Sequence, residues 1–324
     1  MRDPRDLMRD RLNAATTLAP VDVLSDAIEV MRTGRPLSNR FRAGEGWCYR
    51  IAPYDGAGFH VVLRGNAWVI PDGAEPIPLG PGDIVLVPHG SAHVLSDSPS
   101  ARGAVTVDRA VDEPDGSVDF LCGKYRFDRS RAHPLMTGLP EVIHLPAQVG
   151  RHPELRAAVD LLGREVHGDQ PGRHVVLSGL LDLLLVYMVR AWLAQNPGGA
   201  WPRAFHDPEI SAALEALHAA PAEPWRIEDL AARVGLSRAT LARRFTALTG
   251  QPPMAYLTWW RMTIAARLLR ETDLPLPAIA RQVGYGSAFA FSHAFKRNFG
   301  VAPGQFRSGG GVPAPSENGQ RAEG

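Results

Sequence analysis

One phrase occurs twice in the last third of this 324-residue chain, and the repetition limits its fold more than any other feature. In the first copy Ile227, Leu230, Ala231 and Val234 keep one helical face, Gly235-Leu236-Ser237 interrupts it, and Leu241, Phe245 and Leu248 resume it. In the second copy Ile279, Ala280 and Val283 lead into Gly284-Tyr285-Gly286-Ser287, and Phe291, Phe295 and Phe299 follow. Apolar residues spaced three and four apart predict helices with one buried stripe. Glycine takes the left-handed conformation that ends a helix, and a serine hydroxyl accepts a free N–H at the start of the next. Two helices joined this way form a helix-turn-helix.

The same spacing turns Arg238, Ala239, Ala242 and Arg243 outward in the first unit, and Phe289, Ser292, His293 and Lys296 in the second. Between the units, residues 253–271 predict a long helix with Tyr256, Leu257, Trp260, Ile264, Leu268 and Leu269 on one side, a rigid spacer. Recognition helices about 34 Å apart enter successive major grooves, so one chain can read two adjacent half-sites. Charge agrees. The net formal charge is only +1, but in residues 236–307 the acids are Glu271 and Asp273 alone. Against them stand Arg238, Arg243, Arg244, Arg261, Arg267, Arg270, Arg281, Lys296, Arg297 and Arg307. The N-terminal half holds balancing acids such as Asp22, Asp26, Glu29, Asp55, Asp72 and Asp83, so only the C-terminal part suits phosphate.

The rest divides by pattern into an α+β chain of two domains. Residues 1–20 form an extension without the apolar core of a secretion signal. Residues 21–150 are mostly β, with short apolar runs at 59–63, 67–70 and 84–87 between Gly, Pro and Asp turns, which predicts a small antiparallel sandwich or barrel. Val21, Leu24, Ile28 and Met31 predict a short helix on its edge. Residues 151–195 read as paired helices, one on Leu155, Val159, Leu162 and Val166, the other a very apolar stretch from 175 to 193. Exposing such a helix costs about 25 cal/mol per Å² of apolar surface, so it must pack on the β-domain, on a second chain, or on both. Its richest run, 183–189, falls short of a membrane span of about 20 residues. Residues 196–206, with Pro-Gly-Gly, read as a linker, 207–307 as the DNA-binding domain, and 308–324 as a disordered tail.

Residues 225–306 resemble the AraC/XylS DNA-binding domain. The resemblance rests on Leu-Ala-Ala-Arg-Val-Gly-Leu-Ser at 230–237, Arg-Arg-Phe at 243–245, Gly-Gln-Pro-Pro at 250–253, Arg-Met-Thr-Ile-Ala-Ala-Arg-Leu-Leu at 261–269, Ile-Ala-Arg-Gln-Val-Gly-Tyr at 279–285 and Phe-Lys-Arg-Asn-Phe-Gly-Val-Ala-Pro at 295–303. It implies a transcription regulator whose duplex-facing residues are Ser237, Arg238, Ala239, Ala242, Arg243 and Arg244 in the first unit. In the second they are Ser287, Ala288, Phe289, Ser292, His293, Lys296 and Arg297. The family often has Arg where His293 stands. The two alanines offer apolar contact to a thymine methyl, and Arg243 is the expected reader of guanine.

Residues 82–93, Gly-Asp-Ile-Val-Leu-Val-Pro-His-Gly-Ser-Ala-His, match the second cupin motif, while 59–65 keep one histidine, His60, of the first. A three-histidine, one-carboxylate metal site is therefore not expected. The N-terminal region is similar to the cupin-like effector domain of one AraC branch, through Val-Leu-Ser-Asp at 23–26, Phe-His-Val-Val-Leu at 59–63, His-Val-Leu-Ser-Asp at 93–97, Leu-Cys-Gly at 121–123 and Phe127-Asp128. This implies a domain that senses a small molecule or chemical stress. His60, His93 and Cys122 are its candidate effector residues, and they either converge on a zinc ion or stay hydrogen-bonded inside the barrel. Cys48 and Cys122, the only cysteines, form no C-x-x-C pair and suit a reducing cytoplasm, unless they act as an oxidation-responsive couple. Tyr125, Arg126 and His133-Pro134-Leu135 either line a pocket or brace the barrel, and bracing is preferred. The expected partners are promoter DNA, RNA polymerase, an unidentified effector and a second copy, with no membrane and no catalytic residues. The rival function is a cupin metalloenzyme carrying DNA-binding helices.

Overall fold

The computed structural model describes residues 22–31, 34–107, 112–127, 133–147, 150–166 and 168–309. The expected extension at 1–20, the tail beyond 309, Val21 and Asp128 lie outside the described residues. Among the described residues helix α1 (Val23–Met31) precedes ten strands: β1 (Leu37–Ala43), β2 (Cys48–Ile51), β3 (Gly56–Arg64), β4 (Ala67–Pro71), β5 (Ile77–Leu79), β6 (Ile84–Val87), β7 (His93–Ser96), β8 (Val105–Thr106), β9 (Val118–Arg126) and β10 (Ile143–Leu145). They form two five-stranded sheets, ordered β1-β9-β3-β6-β10 and β5-β4-β7-β2-β8, with one parallel pair, β2 and β8. No ladder joins the two sheets among the described residues, so the expected barrel is an open pair of facing sheets.

The first sheet is covered on both sides. Val62, Val85, Val87, Phe120 and Cys122 meet Ile51, Val69, Leu79 and Leu95 of the second sheet in one core. The alternate residues Phe59, Val61, Ile84, Leu86 and Leu121 face a layer of helices. This explains why β3 is buried almost end to end. That layer holds α3 (Pro153–Glu165) and α4 (Arg173–Gln195), which pack against each other. Arg40 of β1 holds Asp119 of the neighbouring β9 in a bidentate pair (2.8 and 2.5 Å) and ties the sheet to α3 through a bond from its guanidinium to the Gly163 carbonyl. Tyr125 donates to the Leu181 carbonyl of α4 (2.5 Å), which is the bracing role expected for it.

Helix α4 is 23 residues, longer than its most apolar run, and by length and composition it could cross a membrane. One face of it, with Leu180, Leu181, Leu184, Leu185, Met188 and Val189, is buried in the core shared with the sheet. The short α2 (Pro134–Thr137) lies between β9 and β10. The segment read as a linker is not one. Residues 200–206 form α5 (Ala200–His206), which buries Trp201 and packs along the first recognition helix. Pro-Gly-Gly ends α4, but Trp201 carries too much apolar area to leave a free tether.

The C-terminal domain comprises α6 (Pro208–Ala219), α7 (Ile227–Arg233), α8 (Arg238–Thr249), α9 (Pro253–Glu271), α10 (Leu276–Gln282), α11 (Ala288–Phe299) and α12 (Pro303–Arg307). The spacer α9 does not bury a single side. Tyr256 and Leu257 belong to the first unit's core, Met262, Ala265, Ala266 and Leu269 to the second's, while Ile264 and Leu268 are only half-buried. At 1.5 Å per residue the helix is about 28 Å long.

Candidate nucleic-acid interface

Both helix-turn-helix units are built alike. Gly235 (φ 71°) and Gly284 (φ 76°) take the left-handed conformation. Around the first, Leu236 N–H donates to Ala231 O (3.0 Å) and Gly235 N–H to Ala232 O; around the second, Tyr285 N–H donates to Ala280 O (2.8 Å) and Gly284 N–H to Arg281 O. These are paired closures of the Schellman type, which satisfy carbonyls at a helix end. Ser237 Oγ accepts from Thr240 N–H (3.2 Å) and Ser287 Oγ from Ala290 N–H (3.1 Å), as the spacing predicts. Gly250 (φ 83°) and Gly300 (φ 76°) then end both recognition helices.

The inward faces carry Leu241 and Phe245 in α8 and Phe291, Phe295 and Phe299 in α11, all buried. The second core is an aromatic stack, with Phe295 and Phe299 centroids 4.3 Å apart and Phe306 of α12 5.3 Å from Phe295. Outward, Ser237, Arg238, Ala239, Arg243, Ser287, Phe289, His293, Lys296 and Arg297 are exposed, and Ala242, Ala288 and Ser292 half-buried. Arg238 pairs with Glu228 at 2.9 Å in open solvent. Arg244 departs from the expected set: it reaches back to Asp207 (2.6 Å) and Glu209 (3.1 Å) and ties α8 to α6. These carboxylates raise its already high pKa, and the same pairing holds the Asp207 carboxyl below its ordinary value against the cost of burial. Arg244 directly follows Arg243, so one-residue resolution of a helical face is what sequence spacing could not supply. Arg261 is also structural, donating to the Pro221 carbonyl (2.7 Å) and to that of Glu223 (2.6 Å).

The back of the first unit packs on the N-terminal domain and leaves its outward face open. One hydrogen-bonded chain crosses this junction, and its donors are determined. Leu135 N–H donates to His133 Nδ1 (3.0 Å), so the His133 proton sits on Nε2 and is donated to Tyr256 Oη (3.0 Å). The Tyr256 hydroxyl donates to His218 Nε2 (2.7 Å), and His218 Nδ1–H donates to Asp26 Oδ2 (2.8 Å). His133 and Tyr256 are fully buried; burial drives the His133 pKa well below the ordinary histidine value and that of Tyr256 well above the ordinary phenol. Trp201, Trp259 and Trp260 surround the chain. The sequence marks His133, and Asp26 as an acid and a motif residue, but neither His218 nor the link between them, which spans far-separated segments.

A second chain lies between the two sheets. His93 Nδ1–H donates to Ser91 O (2.8 Å), so its Nε2 accepts from His60 Nε2–H (2.8 Å), and His60 Nδ1 accepts from the Cys122 thiol (2.9 Å). His60 faces Cys122 across the β3–β9 ladder, while His93 comes from the other sheet. The three are in line, with thiol and second imidazole on opposite nitrogens of His60. They do not converge on a point as the zinc alternative requires, and among the described residues no group of three or more His, Cys, Asp or Glu side chains is placed to hold a metal. Burial keeps both histidines neutral by lowering their pKa and keeps the thiol protonated by raising its own. Cys48 lies on the other sheet, with Sγ 3.8 Å from Ser100 O, and both cysteines are free thiols.

Comparison with known proteins follows the same division. A cupin family model matches residues 22–194 and a helix-turn-helix domain model residues 230–309. A putative AraC-like transcription regulator of Streptomyces lividans is 34% identical over 89% of this chain and 98% of its own length. The chain belongs to the AraC-like family of transcription regulators. The RCS-specific HTH-type transcriptional activator RclR of Escherichia coli K12 is 33% identical over 77% of this chain and 83% of its own. Among solved structures, the AdpA DNA-binding domain in complex with a target DNA is 34% identical, covering 32% of this chain and 92% of that one, with a TM-score of 0.30. By its family this AraC-like protein is a DNA-binding transcription regulator with a cupin-like N-terminal domain, and the family assignment favours that function over a cupin metalloenzyme.

Proposed function

We propose that α8 and α11 read two adjacent half-sites of a promoter and that the cupin-like domain, sensing a small molecule or chemical stress, governs this reading through the Tyr256 junction. The observation that carries it is the pair of identically capped recognition helices, outward faces open, the first docked by its back on the sensor. Arg243 is the direct reader of guanine, Arg297 and Lys296 meet phosphate, and Arg244 serves as a brace. Arg243→Ala is expected to cost about 1–3 kcal/mol at one base position and relax specificity there, whereas Arg297→Ala weakens all sequences alike and lowers the salt slope by about 1. Footprinting on the promoter next to its own gene, with both variants, checks this. Absence of any protected site at moderate salt would overturn it.

The sensing role is supported by the Cys122–His60–His93 chain, a polar line through an apolar core, and by the RCS-specific activity in the name of one relative. Promoter response to a panel of small molecules and oxidants is expected to differ between the wild type and Cys122→Ser. An identical response would remove Cys122 from sensing.

The α3–α4 pair is the proposed dimer face. Val175 (80% exposed), Val176 (46%) and Leu183 (48%) line the outer side of α4, Leu161 lies on α3, and Gly179 leaves open space beside them. A double change, Val176→Glu with Leu183→Glu, is expected to convert a sedimenting dimer to monomer with unchanged helical circular dichroism. A monomeric wild-type chain would refute the interface. RNA polymerase is the further partner, and the cytoplasm, where promoter DNA lies, the place of action.

A further inference from the structure

Superposing the two units by their caps and core positions pairs Ala239 with Phe289, Ala242 with Ser292 and Arg243 with His293. The framework is duplicated, but the outward chemistry is not. Phe289 is 83% exposed, the highest value among the exposed large apolar side chains of the described residues. It stands in the first turn of α11, whose backbone is fixed by the Ser287 cap. The aromatic stack of the second core is made by Tyr285, Phe291, Phe295, Phe299 and Phe306, so Phe289 contributes nothing to it. Ser292, His293 and Lys296 follow on the same side, and α11 contains no acid. An aromatic ring at the tip of a cationic, hydroxyl-bearing helix face matches a surface that is anionic overall and apolar at one point.

In the major groove that point is the 5-methyl group of a pyrimidine, the one apolar mark on a base edge. A phenyl ring neither donates nor accepts a conventional hydrogen bond, so the polar edges of guanine, adenine and unmethylated cytosine give it no favourable partner. We infer that Phe289 selects a 5-methylpyrimidine, thymine in ordinary DNA, in the half-site read by α11. This rests on the DNA-reading function proposed above. The two half-sites are then unlike, a guanine contact by Arg243 in one and a methyl contact by Phe289 in the other, which fixes the direction in which the chain lies on the duplex.

The test removes the methyl alone. The full chain is used to select sites from a random duplex pool, and each thymine of the selected site is replaced singly by uracil. At one thymine of the half-site that Arg243→Ala leaves unaltered, wild type is expected to bind about four-fold more weakly, the worth of one buried methyl-sized group. Phe289→Ala is expected to bind thymine and uracil duplexes equally there, and Phe289→Leu to keep part of the preference. A 5-methylcytosine–guanine pair at that position is expected to bind better than its unmethylated form in wild type only. If no uracil replacement separates wild type from Phe289→Ala while Arg243→Ala still changes the selected bases, the methyl contact is wrong and the DNA reading stands. If Phe289→Ala weakens thymine and uracil duplexes alike, the ring acts elsewhere and the inference falls. If no sequence is selected, both fall.

Discussion

Tyr256→Phe is expected to destabilise the protein by about 2–6 kcal/mol, an unusual loss for the removal of one oxygen. The hydroxyl is the centre of the junction chain, accepting from His133 Nε2–H and donating to His218 Nε2. Tyr256 and His133 are both 0% exposed, so no water replaces it. The change takes one bond from the buried His133 donor and one from the buried His218 acceptor, each loss worth ~1–3 kcal/mol. His133 cannot adapt by moving its proton, because Nδ1 already accepts from Leu135 N–H. The expected result in thermal unfolding is a melting temperature lowered by at least about 3 °C and a single transition broadened or split, since the chain joins the cupin-like domain to the first helix-turn-helix unit. An unchanged melt would mean that the junction carries no stability. The promoter response of the same variant reports whether the junction also carries the signal.

Gly284→Ala is expected to be far more damaging than Gly235→Ala, although the two glycines hold the same place in the repeat. Both have φ near +70°, which costs an alanine about 1–2 kcal/mol. At Gly235 an added Cβ meets nothing within 4 Å. At Gly284 it lies 2.7 Å from the Ala222 carbonyl oxygen and 2.8 Å from the Arg261 guanidinium, which is itself held by the Pro221 and Glu223 carbonyls. Overpacking of that kind adds ~1–3 kcal/mol, for a total of about 2–5 kcal/mol. Chemical denaturation of both variants measures the difference. Equal losses would show that the turn between α6 and α7 yields easily and does not key the second unit to the first.

Much of the molecule was legible because local rules govern it. Apolar residues at helical spacing gave α7, α8, α10 and α11, and glycine and serine marked their ends. Gly82, Pro88, Gly90 and His93 marked a cupin-like turn. Where local rules gave out, the errors have specific causes. Pro-Gly-Gly at 197–199 signals a break, but the burial of Trp201 after it depends on a wall supplied by distant segments. Arg243 and Arg244 are adjacent cations, and only the positions of Asp207 and Glu209 separate one as exposed from the other as a brace. His60, His93 and Cys122 do lie together, yet their order along a line, rather than around a metal, depends on which sheet each strand joins.

The sequence by itself determined the two capped helix-turn-helix units, their basic setting and the outward residues Arg243 and Phe289, because these follow from periodicity and backbone conformation within short stretches. Tertiary structure alone decided that the first unit shares a core with the cupin-like domain while the second has its own, and that Asp26, His133, His218 and Tyr256 form one chain. Burial and hydrogen-bond partnership between residues far apart in the chain are properties of the packed molecule, and no short-range pattern encodes them.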